Sequence, residues 1–277
     1  TYLWTKSIAA GALLLGALII LLTTDRSSLI TVVAPLLTEV FLLVTAVLLV
    51  WDLKQPKRFL FLLDPRKVNR RSWLAIGGIF LTIGAGIGGL WFLAGAADLL
   101  DLGSFGGVIE VLAWPAIPAA MMVAGYTAFL FGQAEGRDLW QSPVLFWHLQ
   151  AQAVMVGAGA LLIIGAILAP GEGTMAWLSW ALIAGVVAHL LITAVEFGGN
   201  HPTRNAQVAA HAITHGRYRG MFWGGSVALS ILGAIIALPV ALGGPVILAV
   251  LAGLIVQVAL VLHERVYVMA AQDPPLS

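Results

Sequence analysis

The chain has 277 residues, of which 60% are hydrophobic and only 10% are charged, and its mean hydropathy is +0.99. Soluble globular domains carry about 25% charged residues, so this composition excludes a soluble domain and indicates that lipid surrounds most of the surface. A net charge of +1 predicts no nucleic-acid partner. The absence of cysteine excludes disulfides, thiolate metal sites and iron–sulfur clusters held by this chain.

Eight stretches are long and apolar enough to cross a membrane. A span needs about 20 mostly apolar residues, and its backbone must hydrogen-bond within the segment, which favours helices. Barrel strands would alternate in polarity with a period of two, and these stretches do not. We therefore predict an all-α integral membrane protein with a single transmembrane domain over residues 1–277. The predicted spans are 2–22, 30–51, 73–95, 107–131, 144–168, 174–197, 220–241 and 245–268.

A weak internal repeat relates the two halves of the chain. The second and sixth spans each end in an acid, Asp52 and Glu196, followed by a basic loop and a tryptophan. An offset of four helices favours a parallel repeat, and so two side-by-side four-helix bundles, over residues 1–132 and 144–268. Residues 205–215 have apolar positions at helical spacing, which fits either a short interfacial helix or an ordered loop.

Basic residues lie almost entirely at one end of the predicted spans. Of the 14 Lys and Arg residues, only Arg26 falls in a loop at the opposite end. We call the basic-rich end the basic face. The positive-inside rule predicts that this face is cytoplasmic, with both termini there, in a multi-pass protein of the cell membrane.

Polar side chains within the spans also concentrate toward the basic face. Each is costly in lipid and is therefore a candidate functional residue. His148 and Gln152 lie four residues apart on one side of the fifth span. Glu39 departs from this trend because it lies near mid-membrane, and we interpret it as part of a proton path. The other predicted members of that path are Asp52, His189 and Glu196.

The His263–Glu264–Arg265 run at the end of the eighth span is interpreted as an interfacial helix end whose long side chains reach the headgroups.

Four short segments occur in register along the whole chain, namely 2–12, 51–59 with 71–73, 125–130 with 138–143, and 216–218 with 264–272. Together they resemble the NrfD/polysulfide-reductase membrane-subunit family. The second segment is similar to the family's Asp-Leu-x-x-Pro-x-Arg-Phe element and the Ser-Trp that follows it. The last segment has Ala271 where the family often has glycine.

The resemblance implies a quinone-reactive membrane anchor of a respiratory oxidoreductase complex, not catalytic alone. Such a subunit exchanges electrons between menaquinone or ubiquinone and an iron–sulfur partner subunit, which serves a catalytic oxidoreductase subunit, often a molybdopterin enzyme. We expect no haem and no metal in this chain. The family places the quinone head near the docking face, beside the start of the first span and a tyrosine of the fourth, here Tyr126.

Quinone reduction takes two electrons and two protons, so the site needs a donor for each carbonyl oxygen and a proton route. Tyr126 and His148 are the expected catalytic residues, because both side chains can give and accept a proton. The expected quinone-binding residues are Tyr2, Lys6, Tyr126, His148 and Gln152. The expected docking cations for the partner subunit are Lys57, Arg58, Arg71, Arg217 and Arg265.

Three other functions stay open. A b-type haem quinone cytochrome needs facing axial histidines, for which His148, His189 and His263 are the candidates within the spans. A proton-coupled transporter built from parallel repeats would use Glu39, Glu110 and His189. The third is a purely structural anchor without quinone chemistry.

Overall fold

The structure is a computed structural model that describes residues 2–52, 71–199 and 201–274, with the backbone alone for Asp52. Within these ranges the chain forms helices and no β-strand, and eight helices are long and apolar enough to cross a membrane. The predicted all-α membrane fold is therefore confirmed. Lys57, Arg58 and the side chain of Asp52 lie outside the described residues.

The spanning helices match the predicted spans to within a few residues. Two of them, α2 and α8, are lengthened at their N-terminal ends by π-helical segments, Leu29–Val33 and Met221–Ala228. The spanning helices are α1 (Tyr2–Leu22), α2 (Ala34–Asp52), α3 (Trp73–Leu99), α4 (Gly106–Gly132), α5 (Leu145–Leu168), α6 (Glu172–Gly198), α8 (Leu229–Ala241) and α9 (Ile247–Ala270).

The spans end where the sequence places helix breakers. Ala169, with φ of +46°, terminates α5 directly before Pro170. Gly243 follows α8 with φ of +84°, a conformation that residues other than glycine rarely adopt. α4 runs unbroken through Pro115 and Pro118, so these prolines do not create the discontinuous helix that a transporter site would favour.

Residues 205–215, for which a helix and a loop were both open, form a short helix, α7 (Arg204–Thr214). The Thr203 side chain caps it by accepting a hydrogen bond from the Ala206 amide at 3.2 Å. One face is buried through Ala206, Ala209 and Ile213. This face lies against α9 and a 3₁₀ turn, Asp138–Gln141, so α7 covers part of the basic face.

α1 is the central helix of the described structure. Of its membrane-spanning window, 83% is buried, compared with 22% for α3. It contacts α2, α4 and α5, while α5 contacts α6 and α9. The central helix is therefore shielded from lipid by its neighbours.

The contact between α1 and α5 is made by glycines. A Cβ built on Gly11 would collide with the backbone of Ala153 and Gly157, and one on Gly157 would collide with the backbone of Gly11 and Ala12. Small residues allow two helices to approach closely, and packing of this kind drives helix association where lipid provides no hydrophobic effect.

Replacement of Gly157 by alanine is expected to destabilise the fold by about 1–3 kcal/mol, because the methyl group overpacks the α1–α5 contact. Gly86→Ala in α3 is the matched control, since a Cβ there meets no atom within 4 Å. Thermal unfolding of both variants in mild detergent tests this. Equal unfolding temperatures for the two variants would show that the α1–α5 contact is not tight.

Candidate functional site

A cavity of about 600 Å³ opens at the basic face, between the start of α1 and the ends of α2, α4 and α9. Leu48 and Val261 line its membrane side, and Arg265 and Gln272 line its aqueous end. Tyr2, a predicted quinone-binding residue, is also in the wall. The cavity thus has an apolar end in the membrane and a polar end near water.

Two polar groups in the cavity wall have no hydrogen-bond partner. Glu264 is buried and lies close to the Trp4 backbone amide at the start of α1, but neither of its carboxyl oxygens accepts a hydrogen bond of ordinary geometry. The indole Nε1 of Trp140 is likewise buried without an acceptor. The Trp140 ring is held by stacking on Phe131, with centroids 4.6 Å apart. Buried groups of this kind are rare in folded proteins and favour a ligand that supplies the missing partners.

The interpretation of the His263–Arg265 run as an interfacial end is wrong for two of its residues. Arg265 is exposed, but His263 and Glu264 are buried. The start of α1 covers this part of α9, and the Trp4 indole donates a 2.7 Å hydrogen bond to Gln257 across that contact. Glu264 and Trp140 are therefore the candidate residues that sequence reasoning missed, although both lie in segments that carry the family resemblance.

Lys6 and Tyr126 form a second cluster of buried polar side chains, which lies outside the cavity wall. Lys6 is fully buried, and its ammonium donates hydrogen bonds to the Ala124 carbonyl at 2.6 Å and to Thr127 Oγ1 at 2.5 Å. The same nitrogen lies 4.8 Å from the centre of the Tyr126 ring. Tyr126 Oη is buried and has no partner. Lys6 is close enough to Glu264 for their charges to interact, which links this group to the cavity wall.

A second, much smaller cavity of about 10 Å³ lies beside the first and has room for about one water molecule. The two cavities share Glu264 as a wall residue. His148 and Gln152, both predicted quinone-binding residues, line the smaller cavity. Gln152 Oε1 is buried and has no partner there.

Three buried histidines from three helices meet next to the small cavity. His148 Nε2 lies 2.8 Å from His189 Nδ1, and the His263 ring centroid lies 5.1 Å from that of His148 and 4.6 Å from that of His189. On its outer side, His148 Nδ1 lies 3.0 Å from Glu196 Oε2. Tyr267 Oη is 3.2 Å from the other Glu196 oxygen. We call His148, His189 and His263 the histidine cluster.

The structure brings only some residues of the predicted proton path into contact. His189 and Glu196 both contact His148. Glu39 instead lies half-buried between α2 and α3, beside Gly88, with its Oε1 unpartnered. A path that links Glu39 to Glu196 stays a prediction.

The predicted docking cations that the structure describes differ in their surroundings. Arg71 and Arg265 are exposed at the basic face. Arg217 is engaged within the fold, because its guanidinium pairs with Asp273 and stacks over the Tyr218 ring at 4.7 Å. At the opposite end, Arg26 pairs with Glu110 at 2.7 Å, so this pair belongs to the far surface and not to a buried transporter site.

The histidine geometry argues against the b-type haem. Two axial ligands must lie on opposite faces of a porphyrin, with the ring between them. His148 and His189 are instead in direct hydrogen-bond contact at 2.8 Å, and His263 packs edge-on against both rings. No pair of the cluster leaves space for the macrocycle.

Comparison with known proteins agrees with the resemblance seen in the sequence. A family model described as polysulphide reductase, NrfD, matches residues 1–273. A comparison with curated proteins found no match. Members of the matched family are membrane subunits of polysulphide reductase-type complexes. Because the match extends over nearly the whole chain, and because the described residues form eight apolar helices as expected of a multi-pass membrane subunit, the protein belongs to the polysulphide reductase NrfD family.

Proposed function

We propose that this protein is the quinone-reactive membrane anchor of an oxidoreductase complex. It exchanges electrons between the membrane quinone pool and an iron–sulfur subunit docked at the basic face, which serves a catalytic subunit of the molybdopterin class. The observation that carries the proposal is the cavity at the basic face, whose wall contains two buried groups without partners, the Trp140 indole N–H and the Glu264 carboxyl.

The cavity matches a quinone in size and in the distribution of polarity. A volume of about 600 Å³ lies within the range of small-molecule sites. A quinone head carries two carbonyl oxygens, and a quinol carries two hydroxyl groups. The Trp140 N–H is a donor for a carbonyl oxygen, and a Glu264 oxygen is an acceptor for a hydroxyl. Leu48 and Val261 supply an apolar surface for the hydrocarbon tail.

Reduction of the quinone to the quinol adds two electrons and two protons. The electrons come from the iron–sulfur partner, and the protons enter from the aqueous end of the cavity. The exposed Arg265 guanidinium lies at that end, where it favours the negative charge that builds on a quinone oxygen as electrons arrive. In the reverse direction the same groups hold the quinol while it is oxidised.

We also propose that the helices form two four-helix bundles, with the basic face in the cytoplasm. The helix pairing supports the first point, because α3 contacts α2 and α4 while α8 contacts α6 and α9. The second follows from the bias of Lys and Arg toward the basic face. Tyr2 and Gln272 line one cavity, so the two ends of the described chain lie at this same face.

Trp140→Phe is expected to raise the KM for a short-chain quinone roughly 5- to 10-fold with little change in kcat, because it removes one hydrogen bond to bound quinone. The assay uses the intact complex in mild detergent. Trp147→Phe is the matched control, since Trp147 is 60% exposed and lies outside the cavity wall. Identical KM values for the two variants would contradict the proposed binding mode.

Tyr126→Phe is expected to lower quinone turnover without loss of thermal stability. The Tyr126 hydroxyl is buried without a partner, so its removal costs the fold no hydrogen bond. Thermal unfolding and quinone turnover are measured on the same preparation. Unchanged turnover would remove Tyr126 from the site, and a lower unfolding temperature would show that the hydroxyl has a structural partner.

Arg265→Gln is expected to weaken retention of the iron–sulfur subunit during purification at raised ionic strength, because exposed charges steer and hold charged partners. Arg26→Gln is the control, since Arg26 lies at the opposite end of the spans. Retention is measured as the ratio of the two subunits after size-exclusion chromatography. Greater loss in the Arg26 variant would place the docking surface at the other end.

A further inference from the structure

We propose that the histidine cluster is a binding site for a divalent transition-metal ion, and that Zn²⁺ is the ion it fits best. His148, His189 and His263 project from α5, α6 and α9, and one ring nitrogen of each lies within 4.8 Å of the others. All three side chains are buried. Three imidazoles with an open fourth position are an established zinc ligand set. The proposal departs from the expectation that this chain holds no metal.

The outer nitrogens of two of these rings are already held by other side chains. His148 Nδ1 lies 3.0 Å from Glu196 Oε2, and His263 Nδ1 lies 3.0 Å from Ser226 Oγ. Metal-binding histidines almost always bond their second nitrogen to a carboxylate, a carbonyl or a hydroxyl-bearing group, which orients the ring. On the inner side, His148 Nε2 lies 2.8 Å from His189 Nδ1 and 3.3 Å from Thr193 Oγ1, so an ion bound there would replace these hydrogen bonds.

The hydrogen-bond pattern also leaves one lone pair unused. A neutral imidazole has one N–H and one acceptor nitrogen. If His148 Nδ1 donates to the Glu196 carboxylate, its Nε2 is an acceptor and takes the hydrogen of His189 Nδ1. His189 Nε2 is then a buried acceptor, and it has no partner. A bound cation would use this lone pair.

Only small shifts of the three imidazole rings are needed for the cluster to coordinate an ion. Zinc–nitrogen bonds of about 2.0–2.1 Å place two ligands of a tetrahedral site roughly 3.4 Å apart. The ring nitrogens lie within 4.8 Å of one another, so the most distant pair would close by about 1.4 Å, whereas His148 Nε2 and His189 Nδ1, which are 2.8 Å apart, would separate slightly. This closure would require rotation of the buried imidazoles about their side-chain torsions.

Charge and access are both consistent with a cation. Two carboxyl groups in the same buried region, Glu196 beside His148 and Glu264 next in sequence to His263, offset the charge of a divalent ion. Glu264 also borders the large cavity, and His148 and His263 line the small cavity beside it. Gln152 Oε1, which lines the small cavity without a partner, is the candidate fourth ligand.

Such an ion would join α5, α6 and α9 beside the cavity. This role does not require that the cavity binds quinone, because the three histidines and their outer partners, Glu196 and Ser226, do not line the large cavity. If the quinone assay failed, the metal proposal would still stand. If zinc did not bind, the quinone proposal would still stand.

The test uses the protein purified in mild detergent without a polyhistidine tag. His211 and His215 form an exposed, stacked pair 5.3 Å apart on and just after α7, where imidazoles could bind zinc adventitiously. The reference protein therefore carries His211→Gln and His215→Gln. After removal of metal with a chelator, loading with Zn²⁺ and desalting, the reference is expected to retain about one Zn²⁺ per chain by mass spectrometry.

When it is added to the reference protein, His189→Gln is expected to abolish the retention of zinc after desalting. Glu196→Gln is expected to weaken the affinity for zinc roughly 10- to 100-fold. The reference protein loaded with Co²⁺ is expected to show the intense visible absorption of a tetrahedral ion. This spectrum tests the metal site even if a histidine variant does not fold. No zinc retained by the reference, zinc retained equally by His189→Gln, or only the weak spectrum of octahedral Co²⁺ would each overturn the proposal.

Discussion

The contact between Gly11 of α1 and Gly157 of α5 brings two backbones together with no side chain between them. Because α1 also contacts α2 and α4, and α5 contacts α6 and α9, this crossing joins the two halves of the chain. The close approach explains why α1 is so deeply buried, and why polar residues near its start lie beside residues of α9. Without it, neither the cavity at the basic face nor the neighbouring small cavity would have its walls.

The unpartnered polar groups are informative because lipid provides no hydrogen bonds to replace missing ones. Trp140, Glu264 and Gln152 lie in the walls of the two cavities, and Tyr126 and His189 lie close behind. At the opposite end of the spans, Arg26 pairs with Glu110 and Asp25 accepts hydrogen bonds from Ser27 and Thr174, although the buried indole nitrogen of Trp91, farther along α3, has no acceptor. Ligand chemistry is therefore expected at the basic face.

Glu264 lies between the proposed quinone site and the proposed metal site, because it borders both cavities. Apart from Glu264, the two sites use different groups. The quinone site depends on Trp140, Glu264 and an apolar wall, whereas the metal site depends on ring nitrogens that face one another. A quinone head within one cavity and an ion within the histidine cluster would lie close enough for the occupancy of one to influence the other.

Much of this protein is determined by sequence alone, because the cost of burying polar groups in lipid acts locally along the chain. The eight spans found in the described residues and the family were predicted correctly from hydropathy and four short segments, while the basic face stays a prediction from charge. The apolar spacing of residues 205–215 was compatible with the helix α7 but equally with an ordered loop. Only the tertiary structure decided that His148, His189 and His263 meet, since their depth and rotation on three helices depend on packing. It also decided that Glu264 is buried, because the start of α1 covers a helix end that would otherwise face the headgroups.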